Sequence, residues 1–305
     1  MFDISDLRTF ARIADLGSIS SAARALGMPK SSVSRSLVRL ESVAGSALVE
    51  RATRHQRLTD AGNLLLRHTR RILDDVGEAE NALSGMIGVP RGTLRVNAPF
   101  TFTIGLLTPM LPAFLARYPE VRVSLFVESR PAETFAKDAD VAIRIGPLRD
   151  SEFIARKLST IRLLLCASPA YLAAHGTPQT LNELAGHSLL GQVDRRFVWR
   201  FRTSAGPIEE VEFTPKTVVS EPAAVQTLLI GGAGIGRLPD YLAANALTRG
   251  TLVRVLPEWE GDTVDAHALY PSHRSLSAKV RVFVDALAGH LKKIAESLVV
   301  TSRLK

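Results

Sequence analysis

The 305-residue sequence predicts an α/β fold for its larger, C-terminal part, preceded by a winged helix-turn-helix and one long helix. Three observations carry this. The first 58 residues hold three short helix patterns, the first two closed by glycines, followed by a basic hairpin. A heptad-like apolar pattern then runs through residues 65–86. Beyond it, strand-like and helix-like apolar runs alternate to the end of the chain, the signature of layered α/β packing.

The elements follow in order. Ser5 is placed to cap a first helix carrying Leu7, Phe10 and Ala14 on one face and ending near Gly17. Ser20 is placed to cap a second, through Ala22, Ala23 and Leu26, and Gly27 suits the left-handed position that ends it. Met28 and Pro29 make a turn. A third helix from about Ser31 to Val43 turns Val33, Leu37 and Leu40 inward and Ser31, Ser34, Arg35 and Val38 outward. Two short strands, 47–50 and 57–59, flank the basic tip Arg51-Ala52-Thr53-Arg54-His55-Gln56, which forms the wing. Thr59 caps the long helix, whose Leu65, Thr69, Ile72, Val76, Ala79, Leu83 and Met86 repeat by fours and threes, the pattern of a seam that pairs with a second copy of the same helix. Packing of that seam against the chain's own C-terminal part is the alternative. Gly88-Val89-Pro90-Arg91-Gly92 breaks the helix. The alternating runs that follow (93–98, 106–117, 121–127, 140–145, 161–167, 223–230 and 277–297) predict a substantially parallel sheet.

Composition narrows the function. No run of eighteen apolar residues and no secretory signal pattern is present, so the expected setting is the cytoplasm, with no membrane partner. The single cysteine, Cys166, lies among leucines and reads as a buried core thiol. The formal charge is +8, and residues 30–57 alone set six basic side chains against two acidic ones, which concentrates half of the excess beside the third helix. That distribution suits a polyanion. The seven histidines show no paired metal-ligand spacing, and neither a GxSxG elbow nor an HExxH helix is present, so neither a metal, a cofactor nor catalysis is expected. The glycine cluster Gly231-Gly232-Ala233-Gly234-Ile235-Gly236 follows a helical run instead of opening one, the wrong order for a dinucleotide site, and reads as a structural turn.

The stretch from Ser20 to Glu41 has what a helix-turn-helix needs: small residues where helices touch, a sharp turn, and a second helix with a small, polar and basic outer face. It closely resembles the LysR-type transcriptional regulators, whose N-terminus has the same order of AAxxL-G, a turn, SxVSRxLxRLE, a wing and LTxAG. Here the last is Leu58-Thr59-Asp60-Ala61-Gly62. The resemblance is tight over residues 1–86, and the remainder fits the family's effector domain in length and element order. It implies DNA contacts at Lys30, Ser31, Ser34, Arg35 and Arg39 and, in the wing, at Arg51, Thr53 and Arg54. Many members have Ser-Gln where this chain has Pro29-Lys30, which exchanges an amide for a cation at the first base contact.

The resemblance further implies a two-lobed effector domain like the type 2 periplasmic binding proteins, with a small-molecule effector in the cleft. The expected boundaries are 1–58 for the DNA-binding domain, 59–88 for the linker helix and 89–305 for the effector domain. Its lobe one takes residues 92–160 and 268–305 and its lobe two residues 161–267, with crossovers near Thr160 and His267. Ligands of open α/β sheets bind beyond the strand ends, so Pro99, Phe100, Thr101, Arg144 and Gly146 are expected to line the cleft, with Ser129, Ser168 and Glu221 opposite. Thr101 offers a hydroxyl at a helix start, where it also serves as an ordinary cap, and Arg144 offers a carboxylate partner or a plain surface ion pair. The family implies a bacterial, nucleoid-associated protein on double-stranded DNA, a homodimer through the linker helix assembling into a homotetramer, with RNA polymerase as a further partner. An enzyme or ligand carrier on a binding-protein fold, or a nonspecific architectural DNA-binding protein, are the competing readings.

Overall fold

The computed structural model describes residues 1–50, 57–83, 89–127, 139–148, 153–203, 206–271 and 277–303. It divides into two compact units, Met1–Val89 and Pro90–Lys305.

In the first unit, α1 (Ile4–Leu16), α2 (Ile19–Leu26) and α3 (Lys30–Ala44) are followed by β1 (Val49–Glu50), β2 (Arg57–Leu58) and α4 (Asp60–Leu83). Both early caps lie two residues upstream of the expected serines. The Asp3 carboxylate accepts from the Ser5 and Asp6 amides, and the Ser18 hydroxyl accepts from the Ser21 amide, so Ser5 and Ser20 sit inside the helices. Gly17, Gly27 and Gly45 end the three helices in the left-handed conformation. Leu7, Phe10, Ile13, Ala22, Ala23, Val33, Leu37, Leu40, Leu48 and Leu66 close one core. Asp6, buried on α1, accepts two hydrogen bonds from Arg39 of α3, at 3.0 and 2.6 Å, and Arg39 also donates to the Ser36 hydroxyl. This fork fixes the angle between the first and third helices.

The wing is anchored at its base. Glu41 accepts from the Leu48 amide, Thr59 donates its hydroxyl to the Ala47 carbonyl, and the same oxygen caps α4 by accepting from the Gly62 amide. A Cβ at Gly62 would lie 2.0 Å from the Leu48 carbonyl oxygen, so the Leu-Thr-x-Ala-Gly segment exists to let the strand meet the helix backbone directly.

The α4 seam divides. Leu65 and Leu73 pack against the helix-turn-helix core and Thr69 is fully buried, whereas Leu64 and Ile72 are exposed. Two of the seven seam positions are therefore consumed by the chain's own domain, and the outward apolar face is rotated toward Leu64 and Ile72. Ala79, Leu83 and Met86 have side chains outside the described residues.

The second unit is built on a seven-stranded sheet. Its strands are β3 (Gly92–Ala98), β4 (Val121–Val127), β5 (Val141–Ile145), β6 (Phe153–Ala167), β11 (Gly236–Pro239), β12 (Val253–Arg254) and β14 (Thr263–Pro271), in the order β11-β6-β14-β5-β3-β4 with β12 beside β6. Within this sheet, among the described residues, only β3–β4 and β3–β5 pair in parallel. The expected mainly parallel sheet is therefore corrected to a mixed one: β6 and β14 carry the chain in opposite directions between the lobes and pair with each other over Phe153–Arg162 and Thr263–Pro271. Thr160 stands opposite Asp265 and donates its hydroxyl to that carboxylate at 2.7 Å, and the ladder bulges at Ala266/His267.

Lobe one packs the helical segment 100–117 and α10 (Ala278–Arg303) on this sheet through Phe102, Leu106, Phe114, Phe283 and Leu287. Segment 100–117 is long and apolar enough to cross a membrane, but its apolar face is the core of this lobe. It comprises α5 (Phe100–Phe102), a π-helical stretch Thr103–Leu107, a 3-10 turn and α6 (Leu111–Arg117). Lobe two adds α7 (Pro169–His175), β7 (Leu190–Gly191), β8 (Phe197–Arg202), β9 (Ile208–Phe213), β10 (Thr217–Val218), α8 (Pro222–Ile230), α9 (Asp240–Thr248) and β13 (Glu260–Gly261). Alternate residues of β6 serve two cores: Leu165 and Ala167 face Trp199 and Phe201, while Cys166 faces Val225, Leu229 and Leu238. Burial raises the Cys166 thiol to about 12. The glycine cluster is a turn: Gly234 (φ 151°) packs where a Cβ would lie 2.0 Å from the Ser188 carbonyl oxygen.

Gly62→Ala should destabilise the first unit by about 1–3 kcal/mol, because backbone and not a pliable side chain occupies the space. Chemical denaturation checks this, and an unchanged midpoint would contradict the close approach. Arg39's hydrogen bonds, opposed by burial and aided by Ser36, hold the Asp6 carboxyl below its ordinary range. The stabilisation is thus complete above the ordinary carboxylate pKa and is lost as pH falls through the depressed value. Asp6→Asn should lower the melting temperature by a constant amount above about pH 5, and the gap should narrow toward about pH 3. A gap independent of pH would place the stabilisation elsewhere.

Candidate nucleic-acid interface and effector cleft

The outer face of α3 is set by which residues its core stripe leaves over. Val33, Leu37 and Leu40 are buried; Lys30, Ser31, Arg35 and Val38 are exposed, and Ser34 is half-buried. Pro29 supplies no side-chain cap, so Lys30 and Ser31 form the bare first turn of the helix beyond the Gly27-Met28-Pro29 turn. Arg35 leans back over that turn, with long contacts to the Ser31 carbonyl (3.4 Å) and the Ser32 hydroxyl (3.5 Å) that release easily. Arg39 differs from the other predicted contacts. Its guanidinium remains half-exposed, but its fork is held by Asp6, so its first role is to set the α1–α3 geometry. Arg51, Thr53 and Arg54 lie outside the described residues.

In the second unit the C-terminal ends of β3 and β5 open on one edge of lobe one. Pro99 precedes α5, Phe100 is exposed, and Gly146 (φ 98°) donates its amide to the Asp265 carbonyl. Thr101 is buried inside the helical turn, so Pro99 and not Thr101 takes the cap position. Arg144 is half-buried and donates from Nη1 to Asn97 Oδ1 and to the Ile143 carbonyl, both at 2.8 Å. Desolvation lowers its pKa. Asn97, which lies in the strand-and-loop segment 96–101 expected to line the cleft but was given no role of its own, donates in turn to the Phe126 carbonyl at the end of β4. One buried amide thus ties three strand ends together. A polar residue amid the apolar run of β3 was the available signal. Ser129 lies outside the described residues.

From lobe two, Glu221 caps α8, accepting from the Ala223 amide. Ser168 is displaced from this group. It is the buried cap of α7, and its hydroxyl lies 3.7 Å from where a Cβ would stand on Gly232, just past the C-terminal end of α8. Glu221 is at the other end of that nine-residue helix, about 13 Å away. The reason is strand direction: β6 runs away from lobe one, antiparallel to β11, so its C-terminal end is on the far side of lobe two. The lobes meet instead at the start of α9, where Asp240 pairs with Arg162 of β6 at 3.2 Å and the Tyr241 ring rests on Gly105.

Comparison with known proteins agrees with both halves. Residues 4–63 match the family described as bacterial regulatory helix-turn-helix protein, lysR family, and residues 88–292 match the LysR substrate binding domain. An HTH-type transcriptional regulator of Xanthomonas campestris pv. campestris (strain 8004) is 34% identical over 303 residues, covering 97% of this chain and 88% of its relative. CrgA, an HTH-type transcriptional regulator of Neisseria meningitidis serogroup C (strain 8013), is 35% identical over 289 residues, with 94% and 96% covered. The solved structure of CrgA, a LysR-type regulator from Neisseria meningitidis, matches with a TM-score of 0.61 at 34% identity over 94% of this chain and 98% of its own. The full-length Vibrio cholerae virulence activator AphB matches with a TM-score of 0.59 at 28% identity over 94% and 99%. With a helix-turn-helix that leaves a basic face outward and a two-lobed domain of the substrate-binding type, the chain belongs to the LysR-type transcriptional regulators.

Proposed function

We propose that this regulator reads a near-palindromic operator as a dimer, with Lys30, Ser31, Ser34 and Arg35 on base edges and adjoining phosphates, and that an effector in the cleft shifts its DNA-bound arrangement. The observation that carries the reading is the division of labour on α3: Lys30, Ser31 and Arg35 are outward, while Arg39 is held by Asp6. A face of small polar and basic residues fits the major groove, where cations donate to guanine O6 and N7. Pairing along Leu64 and Ile72 of α4 presents two such faces to half-sites about 34–36 Å apart. The effector domains join dimers into tetramers, and the effector acts by preferring one arrangement over another. The setting is the bacterial cytoplasm, on the nucleoid, with RNA polymerase as the further partner. The domain is a sensor and not a catalyst, in keeping with relatives named as transcriptional regulators.

A footprint on the promoter next to the gene is the direct test. One short protected near-palindrome supports the reading, and uniform coating supports an architectural protein. Arg35→Ala should weaken operator binding by roughly 1–3 kcal/mol while leaving random DNA nearly unaffected, if it reads a base. Equal losses on both would make it a phosphate contact. Lys30→Gln should change the preferred base at one symmetric position of the operator, which selection from a randomised half-site library detects.

A further inference from the structure

Where lobe two meets lobe one, the ring of Tyr241 packs against Gly105. A Cβ there would come within 2.9 and 3.0 Å of the ring carbons Cδ2 and Cε2, so glycine is what seats the tyrosine. Gly105 is the central residue of the π-helical stretch Thr103–Leu107, which directly follows the cleft loop of Pro99, Phe100 and Thr101. Such single-turn π segments recur at functional sites, because the wider turn re-aims the residues around it. The base of the tyrosine is fixed as well. Its amide donates to Asp240 Oδ1 at 2.9 Å, and Asp240 is paired to Arg162 on β6.

The far end of this held side chain is incomplete. The Tyr241 hydroxyl is buried and has no hydrogen bond among the described residues. The Thr101 side chain is near enough to favour the phenolate, yet the two oxygens do not form a well-made hydrogen bond. Burial, with smaller pushes from the Glu221 and Asp240 carboxylates, raises the phenol to about 12, so it stays a neutral donor at any physiological pH. A buried donor without an acceptor is costly and rare in native proteins unless something else completes it. Here the polar groups that act on it are Thr101 of lobe one and the Glu221 and Asp240 carboxylates of lobe two, and Asp240 is already engaged by Arg162.

We propose that Tyr241 is an effector-binding residue, which together with Thr101 donates hydrogen bonds to the carboxylate of a small hydroxycarboxylate whose hydroxyl is received by Glu221. Two hydroxyl donors converging from different lobes suit a group with two acceptor oxygens, and the acidic side chain beyond them demands a donor from the same molecule. Because one donor belongs to each lobe and the Tyr241 hydroxyl is enclosed in the empty cleft, the lobes part to admit the ligand and its two contacts then hold that spacing, which is how the ligand prefers one arrangement. This assignment rests on the effector-cleft reading above.

The test uses the full-length protein, with acetate, glycolate and salicylate as probes at tens of millimolar. Without a probe, Tyr241→Phe should melt at the wild-type temperature or slightly above it, since no hydrogen bond is removed. A loss of several degrees that Thr101→Val shares, non-additive in the double variant, would make the pair a structural hydrogen bond and overturn the proposal. With probes, glycolate or salicylate should stabilise the wild type more than acetate does, Glu221→Gln should erase that difference, and Tyr241→Phe should weaken apparent affinity about tenfold. Equal stabilisation of the wild type and Tyr241→Phe would overturn the role of the tyrosine while upholding the cleft as an effector site. No stabilisation of the wild type by any of the three would overturn the hydroxycarboxylate class. The operator footprint, measured without probes, stands or falls independently and tests the regulator reading itself.

Discussion

The antiparallel pairing of β6 with β14 is the constraint on which the effector domain depends. Each strand belongs to both lobes, and each is hydrogen-bonded to the other across the passage between them. Two connections side by side allow the lobes to bend toward one another while their backbones stay paired, and single strands apart from each other would not. The ion pairs and hydrogen bonds at that passage, Thr160 and Lys157 to Asp265 and Arg162 to Asp240, sit where the strands leave one lobe for the other. Lys157 first and Thr160 next hold the Asp265 carboxyl below its ordinary range. The same pairing dictates what reaches the cleft. Strands that end toward the passage deliver Pro99, Gly146 and Pro239, and β6, which runs outward, carries Ser168 to the opposite side.

In the first unit the comparable constraint is backbone proximity. Leu48, Thr59 and Gly62 bring the wing's base, its return strand and the start of α4 to within hydrogen-bonding distance of each other. Asp6 and Arg39 do the same for α1 and α3. A recognition helix is useful only if its exposed side chains arrive at fixed positions; Arg39 ties α3 to α1, and Glu41, accepting from the Leu48 amide, ties it to the base of the wing. That explains why one of the basic residues on α3 is withheld from the outer face. Arg39 supplies orientation, and Lys30 and Arg35 are left to meet the polyanion.

Much of this was legible in particular residues. Gly17 and Gly27, each following an apolar face of helical period, marked helix ends because only glycine adopts the left-handed conformation cheaply. Val33, Leu37 and Leu40 announced the buried side of α3 and therefore its outward side. Thr59 signalled the cap of α4. The caps at Asp3 and Ser18 were misplaced by two residues, because several serines compete locally and the choice depends on which oxygen the backbone turns toward. The α4 seam was misread in part because the heptad pattern does not say which partner each apolar residue meets, and Leu65 and Thr69 meet their own domain.

By itself the sequence determined the family, the order of elements, the basic outer face of α3 and the strand-then-loop segments from which a cleft is made. These depend on local periodicity and short-range spacing, which the chain carries wherever it folds. Only the tertiary structure decided the mixed direction of the sheet, the removal of Ser168 from the cleft, the capture of Arg39 by Asp6 across 33 residues, and the seating of Tyr241 on Gly105 across 136. Each of those is a contact between segments distant in the chain. No local pattern encodes them, because they follow from strand direction and from which faces the two lobes turn toward each other.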